Sequence, residues 1–321
     1  MKPSLPTLIL AGMLTMVAAF AAPPGRTYSV FTVNADHTGT LLNGHPFLVV
    51  GLRVSNALIS DAKTDELIVQ FDTFASFGVN TVSVFFQGSR FGDVRGYRED
   101  ASLDPVYAAR MGRILDAADA RRMVVVVGCL YHGGSKGWWK SWTQTDAERA
   151  VANTIRWLRA HDYRHVLVDV NNEHMAEFDD GRLIAAGKAV DARFVITTSG
   201  KVTPPNADLA IHHGSPNLPD KYYIETEGTG GNYWGNYSRQ PDLYDYINIG
   251  IYTDAMKREM LQRTDSYLDR GQGYVFASTW LQNPPPAGPN HTPGGRGTKD
   301  APGVRWWLEH IKARVGPYRP K

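Results

Sequence analysis

Two kinds of apolar run alternate along this chain. Short runs rich in β-branched and aromatic residues, bounded by glycine and polar residues, read as strands. Longer stretches with apolar residues three and four apart read as helices. HPFLVVGLRVS ends a first strand near Arg53. TDELIVQFDTFASFG then takes helical spacing and stops at Gly78, and TVSVFFQG is a second strand. LDPVYAARMGRILDAADARR opens with Asp104 as N-cap and Pro105 at the first helical position, where the missing N–H of proline costs nothing. RMVVVVGCLYHGG is apolar throughout, which predicts a strand buried on both faces. TQTDAERAVANTIRWLRAHD predicts a helix with a capping box of Thr145 and Glu148. VLVDVNNEH is strand four, GRLIAAGKAVDA a short helix, and FVITTSG, ADLAIHHG and KYYIETEG are strands five to seven. DAMKREMLQRTDSYLDRG is a helix with a glycine stop, GYVFASTW is strand eight, and a closing helix covers roughly Val304 to Arg314.

Eight such strands, separated mostly by helices and by no long linker, predict a (β/α)8 TIM barrel. An open doubly wound sheet is disfavoured because no glycine-rich phosphate loop follows the first strand. The connections after strands five and six are too short for full helices. Ahead of the barrel, TYSVFTVNADHTGTLLNG predicts a small N-terminal β-hairpin turning at Asp36 to Gly39, suited to plug the barrel floor. NPPPAGPNHTPGGRGTKDAPG, after strand eight, reads as a long loop because a helix still follows it.

The first residues change the compartment. Lys2, an apolar run from Leu8 to Ala19 and an Ala19-Phe20-Ala21 cleavage site make residues 1–21 a secretory signal peptide, too short in its apolar part to span a membrane. Residues 22–321 then form one catalytic domain, exported to the periplasm or beyond. Lys and Arg number 34 against 32 Asp and Glu, a balance that gives no electrostatic reason to expect nucleic acid or an anionic membrane as partner. The lone Cys129 excludes an intramolecular disulfide and, at the end of a valine run, reads as a small core residue.

Chemistry concentrates where the strands end, which in such barrels is the active-site face. The strand ends present Arg53; Gln87 and Arg90; Tyr131 and His132; Asn172, Glu173 and His174; Ser199; His212 and His213; Glu225 and Glu227; Trp280 and Gln282. Carboxylates from strands four and seven face each other across a barrel mouth, as glycosidic bond cleavage requires: one protonates the leaving oxygen, the other attacks or activates water. Proximity of like charges keeps a proton on one of them near neutral pH. No H-x-x-x-H or H-E-x-x-H spacing supports a metal site, so neither metal nor cofactor is expected. Aromatic groups at Trp138, Trp139 and Trp142 and at Tyr233, Trp234 and Tyr237 are candidates for sugar stacking or for packing their loops onto the barrel.

The segment LNGHPFLVVGLR, His132 ending strand three, Asn172-Glu173 ending strand four, glutamate ending strand seven and Trp280 ending strand eight together resemble the clan A glycoside hydrolases, most closely family 5. The resemblance spans Leu42 to Gln282. It implies a retaining double displacement on a β-linked oligo- or polysaccharide. Glu173 matches the acid/base and Asn172 the amide that holds the sugar 2-hydroxyl. Arg53 and His132 match groups lining the reacting subsite, and Trp280 matches the aromatic floor. Where the family carries one glutamate at strand seven, IETEG offers Glu225 and Glu227 on the same side of a strand. Glu225, directly after the apolar run, is favoured as nucleophile, with Glu227 and Trp234 contacting sugar from the loop. His212 is placed to bind a hydroxyl or to serve structurally. Asn171 and His174 are expected to shape the turn. The alternatives are a glycan-binding barrel without catalysis and a metal-dependent hydrolase using the histidines.

Overall fold

A computed structural model of the chain describes residues 28–88, 92–131, 138–200, 202–212, 220–226, 250–278, 280–282 and 293–321. Eight parallel strands make the (β/α)8 barrel: β4 (Val50–Arg53), β5 (Thr81–Phe85), β6 (Val124–Leu130), β7 (Val166–Asn171), β8 (Val195–Thr197), β9 (Ala210–His212), β10 (Tyr223–Glu225) and β11 (Gly273–Ala277). Their order around the barrel is β8-β7-β6-β5-β4-β11-β10-β9. Among the described residues, the two ends of that order meet without a regular ladder. Asp208 N–H donates to Ile196 O (3.1 Å), Ile196 N–H to the Asp208 carboxylate (2.7 Å), and the Thr197 hydroxyl to Leu209 O (2.6 Å).

Alternation along the strands sorts side chains into two layers. Val49, Val124, Val126, Leu167, Val195, Leu209, Ile211, Ile224 and Val275 fill the lumen. Val50, Leu52, Val82, Val84, Val125, Val127, Val168, Ile196, Tyr223, Tyr274 and Phe276 point outward into the layer under the helices. Those helices are α1 (Asp61–Ile68), α2 (Phe71–Ser76), α3 (Pro105–Asp119), α4 (Gln144–Ala160), α5 (Asp180–Val190), α6 (Asp254–Leu268) and α7 (Arg305–Val315). Among the described residues the β8–β9 connection holds no helix, as its length predicts.

Three boundaries differ from expectation. The predicted first helix is two, α1 and α2, interrupted at Val69 and Gln70. The capping box of α4 is Thr143 with Asp146, two residues earlier than Thr145 with Glu148: Thr143 Oγ1 and Asp146 exchange bonds with each other's backbone N–H. The buried Trp139 and Trp142 just before it fix where the helix can begin. The hairpin, β1 (Phe31–Val33) and β2 (Thr40–Leu42), gains a third strand, β3 (His45–Pro46). Its Phe31 and Leu42 pack into the same cluster as the lumen side chains, so it does close the barrel floor. Tyr318, near the C-terminus, adds an edge contact onto Phe47 at 6.1 Å.

Candidate active site

The site grows from the C-terminal end of β7. Asp169 is the last lumen-facing carboxylate within that strand, and it is buried. It accepts from the Ser199 hydroxyl (2.7 Å) and backbone N–H (3.0 Å), and burial pushes its carboxyl up to about 6, against these hydrogen bonds and the nearby Arg53. Ser199 Oγ also accepts the backbone N–H of Glu173 at 3.2 Å. A side chain from beyond β8 therefore ties the buried Asp169 to the residue expected to do chemistry.

Asn171 holds the turn that follows. Its amide donates to Ala176 O (2.8 Å) and to Asp180 Oδ1 (2.7 Å), while its oxygen takes the Ala176 N–H. His174 closes on the other Asp180 oxygen at 3.3 Å. Asn171 and His174 are thus turn builders, as the sequence suggests. The turn is tight: Glu173 and His174 both adopt left-handed backbone, at φ 54° and 53°. Such a conformation costs a non-glycine residue on the order of 1 kcal/mol, and it is held here by Asp180, Ser199 and Asn171 together.

Asn172 is buried, and its side-chain oxygen accepts from Arg53 Nη2 at the end of β4. Its amide nitrogen lies 3.4 Å from Glu173 Oε1, and the same Arg53 nitrogen is 3.9 Å from that oxygen. Arg53 is itself buried beside the rings of Phe85 and Tyr131, 5.8 and 5.6 Å from its guanidinium carbon. The Phe85 ring can occupy that place because Gly128 faces it: a Cβ there would come within 1.9 Å of the ring. Gln87 is buried and accepts the Tyr131 N–H (2.9 Å), and Gln282 accepts from Ser55 (2.9 Å). Both strand-end amides brace neighbouring loops. Glu173 alone of this group reaches solvent, with its side chain 30% exposed.

Three expected contributors sit elsewhere. Glu225 shares the outward face of β10 with Tyr223, is fully buried, and receives Tyr223 OH (3.1 Å) and Arg263 Nη2 of α6 (3.2 Å) on Oε2. The alternation that puts Ile224 in the lumen turns Glu225 away from it, which corrects the choice of Glu225 as the group facing Glu173. His212 is on the outer face too. It stacks on Tyr223 at 6.0 Å and lies 2.8 Å from Thr203 Oγ1 through Nε2, and burial lowers its pKa. Trp280 is buried with its ring edge-on to Phe74 at 5.6 Å and its N–H on Glu66 of α1 (2.8 Å). It is a packing residue under α1 and α2, not an open floor. His132, Glu227 and Trp234 lie outside the described residues, as do Arg90, His213, Tyr233 and Tyr237. Trp139 and Trp142 are core residues, the latter donating to Glu99 O. Among the described residues no group of three His, Cys, Asp or Glu is arranged to hold a metal ion, and no helix is long and apolar enough to cross a membrane.

Asp169 and Ser199 escaped the sequence reading as a pair. One aspartate inside an apolar strand shows no signal of its own, and its partner comes from a different strand end.

A parallel barrel whose acidic strand end is organised by a buried arginine and two amides is the class that fold and site define. No family model matches the chain by sequence, and no curated protein does. Solved structures do match in fold. A glycoside hydrolase family 5 structure from Bacteroides vulgatus aligns with a TM-score of 0.56 at 12% identity, covering 88% of this chain and 69% of that one. A β-glucanase from Saccharophagus degradans in complex with cellotetraose gives 0.57 at 12% identity, over 92% and 95% of the two chains. An exo-β-1,4-mannosidase from an Opitutaceae bacterium gives 0.55 at 15% identity, over 90% and 64%. At this identity the likeness is one of fold: this chain has the TIM barrel that glycoside hydrolase family 5 enzymes have.

Proposed function

We propose that the protein is a retaining glycoside hydrolase acting on a β-linked saccharide without metal or cofactor. The observation that carries the reading is the partly exposed Glu173 at the end of β7, held beside the Arg53–Asn172 pair. Glu173 is the acid that protonates the leaving oxygen and then the base that activates water. Asn172 and Arg53 orient the sugar hydroxyl next to the reacting carbon. The second carboxylate falls to Glu227, the other glutamate of IETEG: Arg263 and Tyr223 occupy Glu225 on the outer face, and β10 ends at Glu225, so its alternation does not extend to Glu227. The fold neighbours that are glucanases and mannosidases support a saccharide substrate. The signal-like N-terminus supports export, which mass measurement of the mature chain from the culture medium or periplasm would check.

The test is a panel of β-glucans, mannans, xylans and galactans with product stereochemistry followed by NMR. Retained anomeric configuration, abolished in Glu173→Gln and in Glu227→Gln, is the expected result. Azide should restore turnover to Glu227→Ala with inverted product and to Glu173→Ala with retained product. Full turnover in both Gln variants would overturn the assignment. One observation favours a second reading, a barrel that binds glycans without cleaving them: Glu225 is committed to an internal ion pair. That reading predicts calorimetric binding of a glycan with no release of reducing ends.

A further inference from the structure

Glu173 also borders a pocket of about 620 Å³. Glu173, His174, Phe178, Gly200, Val202 and Pro204 are among its lining, and neither Arg53 nor Asn172 is. Glu173 therefore lies between this pocket and the buried Arg53–Asn172 pair. A general acid delivers its proton to the oxygen of the departing group, so the departing group belongs in space that the acid lines, and Glu173 lines this pocket. We propose that this pocket receives the leaving group and is built for an apolar aglycone, an aryl or alkyl group, in preference to a second sugar. The inference rests on the glycosidase reading and adds the class of substrate.

The lining carries the chemical argument. Phe178 is half-buried against the core, Val202 is 78% exposed, and Pro204 and Pro205 continue the same wall. A hexose in this place would bring a ring of hydroxyls that each need a partner once out of water. Among the described residues, the polar groups around the pocket other than Glu173 are largely engaged. Asp180 is bound by Asn171, His174 and Thr198. Asp179 caps α5 through the Arg182 N–H, and Asn206 donates to Gly181 O. An alkyl or aryl group makes no such demand and covers the valine and prolines from water.

The wall is also held in place. Thr203 lies 2.8 Å from His212 Nε2, and Lys221 Nζ donates to the backbone oxygens of Pro205 (2.8 Å) and Ala207 (2.5 Å). Two consecutive prolines remove backbone freedom between these ties. An apolar surface kept open and rigid binds its ligand without first being ordered.

Paired substrates test this with the mature full-length protein. Methyl and hexyl β-glycosides of glucose, mannose, galactose and xylose share the glycone and differ only in the leaving group, and the matching β-1,4-disaccharides supply the sugar arm. For the glycone that is turned over, kcat/KM for the hexyl glycoside should exceed that for the methyl glycoside and the disaccharide by about tenfold or more. Val202→Asp should bring the hexyl-to-methyl ratio down toward one. Val69→Asp, at a comparably exposed valine that caps the C-terminus of α1 and does not line this pocket, should leave that ratio as it is. Turnover with no hexyl preference, or with preference for the disaccharide, overturns the aglycone assignment and leaves the glycosidase reading standing. No turnover of any member overturns the glycosidase reading, and the leaving-group assignment with it.

Discussion

Glu173 occupies a backbone conformation that its own side chain makes costly, so the chemistry proposed for it and stability pull against each other at one residue. Replacing it with glycine, which adopts φ near +54° freely, should raise unfolding stability by about 1 kcal/mol. The same change should lower turnover by about 10² to 10⁴, the usual worth of a positioned acid or base. Urea denaturation and initial rates read the two effects separately. Asp169 gives a second prediction. Its carboxyl holds a proton up to about pH 6 in the folded chain but only to about 3.8 in the unfolded one. The folded state therefore binds more protons between these values, and the stability this group contributes is present at low pH and lost as pH rises through about 6. At about 1.4 kcal/mol per pH unit the loss is on the order of 3 kcal/mol. The stability difference between the natural chain and Asp169→Asn should shrink by about that much from pH 4 to pH 7 and be flat above. The placement of Glu173 and Asn172 at the end of β7 was legible in the sequence because four hydrogen-bonding residues interrupt an apolar run there. The side on which Glu225 lies was not legible. Which parity of β10 faces the lumen, and that the strand ends at Glu225 before reaching Glu227, are set by how β10 pairs with β9 and β11, information that no local pattern holds.

At the scale of elements, strand and helix order was readable throughout, because parallel barrel strands are apolar on both faces and helices between them keep their period. Helix starts were less so. TQTDAE contains two overlapping capping patterns, and the choice between them is made by tryptophans that must be buried before the helix begins. Thr143→Ala should cost about 1 kcal/mol in thermal or urea unfolding, and Thr145→Ala much less. Trp280 shows the same limit: an aromatic residue at a strand end reads as a platform, yet Phe74 and Glu66 take it into the helix layer.

For the whole molecule, the floor is the part where local and global signals agree. Phe31 of the hairpin and the C-terminal Tyr318 both set a ring edge-on to Phe47. Tyr318 also donates to Arg122 O (2.5 Å), and its N–H to Ala75 O (2.7 Å), so the chain end is stitched to α2 and to the turn after α3. Tyr318→Ala should lower stability by about 1–3 kcal/mol with turnover per folded molecule unchanged, since the site lies at the opposite end. The mouth of the barrel has no such closure between β8 and β9, where three side-chain and backbone bonds replace a ladder. Seven strand boundaries should release their amide protons only when the entire domain unfolds, whereas the eighth should exchange by local opening, many times faster. The residues bridging that boundary are continuous in sequence with the Val202–Pro205 wall. A ligand resting on the wall would act as a clasp, slowing deuterium uptake at Ile196 and Asp208 well before it changed anything at the floor.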